Sequence, residues 1–95
     1  LVICLSHLGY SYDENKVSDS ILAIKTSGID LILGGHTHTF LEKAQEFTNL
    51  EGGKVLVNQV GWAGLNLGRI DYYFTKGQKK KVNFQSGRAS FVEIK

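Results

Sequence analysis

The stretch that decides the fold is Ile29-Asp30-Leu31-Ile32-Leu33-Gly34-Gly35-His36-Thr37-His38, an apolar run that ends in a diglycine and two histidines. A second apolar run, Leu1-Val2-Ile3-Cys4-Leu5-Ser6, is followed directly by His7, the only other histidine of the chain. Continuous runs of Leu, Val and Ile are typical of parallel strands that are covered on both faces. We therefore predict two buried parallel strands, with residues 1–6 as a central one.

The segment between these strands has the periodicity of a helix. Three apolar residues recur at the spacing of one helix face: Val17, Ile21 and Ile24. Asn15 is a candidate N-cap, and Gly28 has the position of a residue just past the helix end. The pattern predicts a helix over about 16–27 and a right-handed βαβ unit over 1–33.

The second half of the chain is expected to be antiparallel β-structure. Residues 39–53 are mixed and polar and predict a loop. Strand-like composition follows at 54–60, at 68–75, and in a closing segment of 81–85 with 89–94 around Ser86-Gly87. The predicted fold class is therefore mixed α/β, a βαβ unit followed by antiparallel strands.

Composition narrows the class of protein. The 95 residues fit one small domain at most. The net charge of +2 divides into −3 for residues 1–50 (three Lys against six acids) and +5 for residues 51–95 (eight Lys or Arg against three acids). The run Lys79-Lys80-Lys81 beside Gly77 is interpreted as a solvated turn, and Cys4 as a small buried apolar residue. No run approaches the roughly 18 apolar residues of a membrane helix, so no membrane segment is predicted.

All three histidines follow predicted strands. The carboxyl ends of parallel strands meet at one edge of a sheet, so His7 and His36 should be neighbours in space. In an extended segment, His36 and His38 would point to the same side. Neutral imidazole is the commonest side-chain metal ligand, and three of them suit Zn, Mn, Fe or Co. Gly34 and Gly35, which lack Cβ atoms, would let the backbone turn sharply and approach a metal or phosphate closely.

Other uses of these residues stay open at this point. The three histidines can instead form one mononuclear zinc site with an open position. A different class of function is a non-catalytic module that binds phosphate-bearing partners through Arg69, Arg88 and residues 79–81. A nucleophile–base pair of Ser6 and His7 is disfavoured, because adjacent strand residues face opposite ways and no acid stands beside them.

Three blocks of the chain, taken together, resemble a known family. They are Leu5-Ser6-His7-Leu8-Gly9, then residues 30–39 around Gly34-Gly35-His36-Thr37-His38, then Asn58-Gln59-Val60-Gly61 with Gly64 and Leu67-Gly68-Arg69-Ile70. In this order they resemble the calcineurin-like metallophosphoesterases, and most closely the 5′-nucleotidase family, over nearly residues 1–75. The resemblance implies a four-layered αββα fold and two-metal hydrolysis of a phosphomonoester, with a metal-activated water attacking phosphorus.

The resemblance also implies roles for individual residues. His7 and His36 would bind one divalent transition metal, and His38 would bind the other. Gly61, Gly64 and Gly68 would be turn glycines beside the site with a structural role, and Gly34 and Gly35 would also be structural glycines near it. No catalytic residue is implied within this chain, because the family's Asp-x-His, Gly-Asp and Gly-Asn-His-Glu/Asp blocks would lie upstream of Leu1.

The expected protein is thus a 5′-nucleotidase-like hydrolase that converts a nucleoside monophosphate to nucleoside and phosphate. Residues 1–95 would be the C-terminal portion of a single metallophosphoesterase domain, inactive without the upstream portion of the same domain. The expected partner is a small phosphomonoester, a nucleotide rather than nucleic acid. Members of the family are often exported to the periplasm or cell surface. Trp62, Tyr72 and Tyr73 are expected to be core or sheet-face aromatics rather than platforms for a base.

Overall fold

The computed structural model of the chain describes residues 1–74 and 76, together with the backbone of residues 81–88. Its elements are β1 (Ile3–Leu5), α1 (Asp19–Lys25), β2 (Leu31–Leu33), β3 (Gln45–Thr48), β4 (Lys54–Asn58), β5 (Asn66–Tyr73) and β6 (Lys81–Arg88). Four strands form one sheet in the order β1-β2-β4-β3, and β5 pairs with β6 in a second sheet. The chain is therefore a mixed α/β structure with parallel and antiparallel strand pairs.

The predicted βαβ arrangement is confirmed. β1 and β2 are parallel, with Ile3 opposite Leu31, and α1 lies between them in the chain. β4 then pairs in parallel with the other side of β2. Two further backbone hydrogen bonds continue these pairings beyond the strand ends, from Ser6 N to Leu33 O and from Gly34 N to Asn58 O, both 2.9 Å. The carboxyl ends of β1, β2 and β4 thus lie together at one edge of the sheet.

The helix begins later than the periodicity predicted. Ser18, not Asn15, is the N-cap, and its hydroxyl accepts a hydrogen bond from the amide of Ile21 at 3.3 Å. The amides of the first two helical residues, Asp19 and Ser20, donate to the carbonyls of Gly9 and Tyr10. These bonds to the preceding loop fix the start of the helix, and no local pattern predicts such long-range partners.

The predicted buried face of the helix is also wrong. Val17 is 57% exposed, and Ile21 and Ile24 are each more than a third exposed. The residues that are buried are Asp19 and Ala23. Ala23 has only a methyl group, so the helix backbone can approach the sheet closely at that point.

The two inner strands of the four-stranded sheet, β2 and β4, have buried residues on both faces. On one face, α1 packs against a cluster of buried residues: Ala23, Ile32, Val55 and Val57. On the other face, β5 packs against a second cluster through Ile70 and Tyr72; the buried members are Leu31, Ala44 and Leu56. Neighbouring strand residues face opposite sides, so β2 and β4 supply both clusters alternately. The described layers are helix, sheet and two-stranded sheet.

Two strand predictions need correction. β1 lies at an edge of the described sheet rather than in its centre, and Leu5 is 80% exposed. A continuous apolar run indicates that a strand buries both of its faces, but it does not specify which strands or helices lie beside it. The predicted loop 39–53 contains β3, which pairs antiparallel with β4 and alternates half-buried with exposed residues. Phe47 is the only apolar residue of this strand, so the sequence shows no apolar alternation that would predict it.

The predicted strands at 54–60 and 68–75 correspond to β4 and β5 with shifted ends. The backbone of β6 runs without a break through Ser86-Gly87 and pairs antiparallel with β5. Of the turn predicted at 79–81, Lys81 is the first residue of β6, and residues 79–80 lie outside the described residues, as does the predicted strand at 89–94. No helix in the described part of the chain is long and apolar enough to cross a membrane.

A buried carboxyl group joins α1 to the strand ends. Asp19 is fully buried, and its Oδ1 accepts a hydrogen bond from the Ser6 hydroxyl at 2.5 Å. Its Oδ2 has no hydrogen-bond partner among the described residues and lies directly against Gly34. Burial raises the pKa of the Asp19 carboxyl above its ordinary value, and the Ser6 hydrogen bond opposes part of that rise.

The contact between Gly34 and Asp19 gives a first prediction. A Cβ at residue 34 would overlap Asp19 Oδ2, so we expect Gly34→Ala to lower the free energy of unfolding by about 1–3 kcal/mol. Urea unfolding of the chain measures the change. In an Asp19→Ala background the same glycine substitution should be less destabilising, because the obstructing carboxyl is gone. Equal destabilisation in both backgrounds would contradict the steric explanation.

The buried carboxyl also predicts a pH dependence. Because the pKa of Asp19 is raised above 3.8 on folding, the folded chain binds this proton more tightly than the unfolded chain. The resulting stabilisation is complete below the unfolded pKa and is lost as the pH rises through the folded pKa. We expect the unfolding free energy of the natural chain, relative to Asp19→Asn, to fall over the range from about pH 4 upward through the raised pKa of the folded state. Urea titrations over that range test this, and a constant difference would refute it.

Candidate functional site

Polar residues follow each of the three parallel strands at their common edge. His7 comes two residues after β1, residues 34–39 follow β2, and Gln59 follows β4. We call this edge the strand-end site, formed by His7, His36, His38 and Gln59, and we call residues 35–39 the histidine loop. The parallel pairing alone therefore places the ends of three distant segments together.

His7 and His36 meet as predicted. Their ring centroids lie 5.0 Å apart and their planes are at 71°, an edge-to-face arrangement. Gly35 borders the His7 ring, and a Cβ at that position would lie 3.3 Å from His7 Nδ1. The absence of a side chain at Gly35 thus leaves the His7 imidazole the space it occupies.

His38 has a different neighbour. Its ring stacks on Trp62 with centroids 5.5 Å apart and an interplanar angle of 7°. Within the part of the chain that the structure describes, no three His, Cys, Asp or Glu side chains are close enough together to hold a metal ion. The described histidines are therefore arranged as one pair, His7 with His36, and one separate ring on Trp62.

The expectation for Trp62 is wrong, because this residue is neither in the core nor on a sheet face. It is 56% exposed and lies in the turn between β4 and β5. Tyr72 packs on the sheet as expected, and its hydroxyl donates to the carbonyl of Asp30 at 3.3 Å. The aromatic character of Trp62 carried no information about this position, since the turn around it determines where it lies.

The histidine loop is not extended. The prediction that His36 and His38 face the same way assumed an extended segment, and that assumption is wrong. His36 has φ 71° and His38 has φ 53°, both in the left-handed region. This region is unfavourable for residues with a Cβ, and non-glycine residues that adopt it cluster at functional sites. Two such residues within three positions indicate that the surrounding structure holds this loop in place.

Gln59 is the residue that sequence reasoning missed. It is 2% exposed, and its Nε2 donates to the carbonyl of Gly35 at 3.0 Å. Its Oε1 accepts hydrogen bonds from the amide of Thr39 at 2.5 Å and from the hydroxyl of Thr37 at 3.2 Å. One amide side chain thus bonds both ends and the middle of the histidine loop. An uncharged residue at a strand end offered no chemical signal beyond its place in the third sequence block.

The glycines of the predicted site have several roles. Gly61 and Gly64 have φ of 80° and 67°, as expected of turn glycines. The Phe40 ring occupies the space where a Gly61 side chain would be. Gly34 makes room for Asp19, and Gly68 lies within β5 rather than in a turn. Gly35 is thus the glycine whose missing side chain directly benefits a histidine ring.

The alternative in which basic residues bind phosphate has less support among the described residues. Arg69 is bound by Asp71, with Nε 3.0 Å from Oδ2. The side chains of Arg88 and of residues 79–81 lie outside the description. The Ser6 hydroxyl is directed to Asp19 and so does not act on His7 as a nucleophile–base pair.

Three named proteins are similar to the chain in sequence. It is 41% identical over 73 residues to the trifunctional nucleotide phosphoesterase protein YfkN of Bacillus subtilis, a match that covers 77% of this chain and 4% of that protein. It is 30% identical over 109 residues to a 5′-nucleotidase-related protein of Glossina morsitans morsitans, and this match covers 100% of this chain and 18% of that protein. A 2,3-bisphosphoglycerate-independent phosphoglycerate mutase 1 of Methanosarcina barkeri is 27% identical over 85 residues, and this match covers 90% of this chain and 16% of that protein. No family model and no solved structure matches.

The chain therefore spans less than a fifth of the length of each of these relatives. The two with the higher identity carry names that refer to nucleotide phosphoesters or to 5′-nucleotidases. These similarities support a family of the 5′-nucleotidase and metallophosphoesterase type, which the chain covers in part.

Proposed function

We propose that the strand-end site belongs to a metal-dependent phosphomonoesterase of 5′-nucleotidase type, which cleaves a nucleoside monophosphate into nucleoside and phosphate. The observation that carries the proposal is the pairing of His7 with His36 across two parallel strand ends. The names of the two relatives support the substrate class. The chain's part in the reaction is to supply metal ligands.

The residues fit a metal on chemical grounds. Two imidazoles whose ring centroids lie 5.0 Å apart are close enough to direct nitrogens to one ion at the usual bond length of about 2.0–2.1 Å. Imidazole suits Zn, Mn, Fe and Co alike. Metal ions at such a site supply an activated water and charge that stabilises the phosphoryl oxygens.

The three histidines would then divide between two ions. His7 and His36 would hold one, and His38, two residues further along the histidine loop, would hold the second. The Trp62 ring, parallel to that of His38, supports the plane of the imidazole from one side. The separation of His38 from the pair favours two ions over a single three-histidine zinc site.

We propose equally that residues 1–95 are the C-terminal portion of one four-layered domain, whose upstream portion supplies the carboxylates and the catalytic histidine. This accounts for β1, an apolar strand at a sheet edge with Leu5 80% exposed. A phosphate-binding module without a metal has weaker support, because Arg69 is already paired with Asp71.

Metal content tests this function. In the protein expressed at its natural length, we expect two divalent ions per chain by elemental analysis. His36→Ala should remove one ion and lower phosphomonoesterase activity by more than about a hundredfold, since changes in outer-shell residues alone typically lose 10–100-fold. Glu51→Ala, an exposed change before the opposite end of β4, is the control. Retention of both ions and full activity in His36→Ala would exclude the assignment.

Trp62 allows a second test, because it is the chain's only tryptophan and stacks on His38. If His38 binds an ion, a divalent charge comes to lie close to the stacked indole, and the emission of Trp62 should change with it. We expect Zn²⁺ addition to alter Trp62 fluorescence, chelator to reverse the change, and His38→Ala to abolish it. A response that persists in His38→Ala would remove His38 from the proposed ligand set.

A further inference from the structure

The conformation of the histidine loop requires an explanation that the loop's own sequence does not supply. His36 and His38 are both left-handed, although each has a Cβ that disfavours this conformation. Glycines would adopt it readily, but imidazoles are present instead. Interactions from outside the loop must therefore hold these two residues in place.

Gln59 is placed to do this. It is buried directly after β4, and its own carbonyl accepts a backbone hydrogen bond from Leu41 at 3.2 Å. Its side chain donates to Gly35, the residue before His36, and accepts from Thr39, the residue after His38. The amide has both a donor and an acceptor, so a single group can hold the two ends of the loop at a fixed separation.

The same network reaches the segment that follows His7. The Thr37 hydroxyl, which contacts Gln59 Oε1, also accepts a hydrogen bond from the amide of Tyr10 at 3.0 Å. Thr37 Oγ1 lies 2.8 Å from the hydroxyl of Thr39. The loops that carry His7 and the other two histidines are thus connected through one partly buried cluster of hydrogen bonds.

We propose that Gln59 is a positioning residue: it fixes the left-handed turns at His36 and His38 so that both imidazoles are pre-organised before any ligand binds. The proposal rests on the proposed function only for what the imidazoles bind. The structural part concerns the histidine loop itself and is tested without metal.

The central variant is Gln59→Met, which preserves the length of the side chain and removes all of its hydrogen bonds. Gln45→Met is the matched control, because the Gln45 amide also bonds a carbonyl, that of Lys43, but lies on β3 and outside the strand-end site. Backbone amide hydrogen exchange in the metal-free protein of natural length is the first readout. The amide of Thr39 should exchange about tenfold faster in Gln59→Met, the effect of losing one hydrogen bond.

Two other amides provide internal references. Those of Gly34 and Leu41 bond to backbone carbonyls of Asn58 and Gln59, so their protection does not depend on the Gln59 side chain. Because these two hydrogen bonds are retained in Gln59→Met, the exchange rates of both amides should stay within about twofold of those in the natural chain. A general rise at all three amides, or no change at Thr39, would overturn the proposal.

The second readout is binding of Zn²⁺ alone, measured by calorimetry in protein of natural length. We expect Gln59→Met to weaken binding by about tenfold or more, as for other residues that orient metal ligands, and Gln45→Met to leave it unchanged. Unchanged affinity in Gln59→Met would overturn the positioning role. If the natural protein binds no metal, the proposed function fails, and the exchange of Thr39 still decides the role of Gln59.

Gln59→Glu provides a second variant in case Gln59→Met does not fold. It retains the acceptor for Thr39 and loses the donor to Gly35, so Thr39 should remain protected while zinc affinity falls. Trp62 emission should shift in the metal-free variant, because the His38 ring beneath it moves. Unchanged emission together with unchanged affinity would count against the proposal.

Discussion

The structure depends on the parallel pairing of β1, β2 and β4, which gathers three carboxyl ends at one edge of the sheet. His7 and His36 are far apart in the sequence, yet this pairing places their rings 5.0 Å apart. The pairing is stabilised chiefly by apolar burial on both faces of β2 and β4. The core therefore determines where the site lies, whereas the loops beyond the strands determine its chemistry.

Buried polar groups accompany the site, and they constrain it. Asp19 and Gln59 both border Gly34, and both are almost completely removed from solvent. A buried polar group destabilises a fold unless it is hydrogen-bonded. Gln59 is fully engaged by the histidine loop, whereas Asp19 has one oxygen without a described partner beside Gly34. A side chain at Gly34 would therefore meet the buried Asp19 carboxyl and approach the Gln59 amide, whereas a side chain at Gly35 would meet the His7 ring.

Much of this arrangement could be predicted from the sequence, because apolar runs identify strands and parallel strands share an edge. The pairing of His7 with His36 followed from these two rules alone. The N-cap at Ser18, the edge position of β1 and the left-handed histidines could not be predicted, because each depends on contacts between distant residues. Gln59 shows the limit most clearly: its amide is uncharged and common, and only its three partners in the histidine loop reveal its role.

The arrangement of the histidines as one pair and one separate ring bears on how many ions the proposed metal site would hold. A single three-histidine site requires three imidazole nitrogens at about 2.0–2.1 Å from one point. The described rings form one pair and one separate stack, and the stack places a flat indole against His38. Moving His38 to the pair would break the stack with Trp62 and displace a loop that Gln59 holds at both ends. A second ion beside His38 would require neither change, so the hydrogen bonds that restrain the loop favour the two-metal form of the proposed site over the three-histidine form.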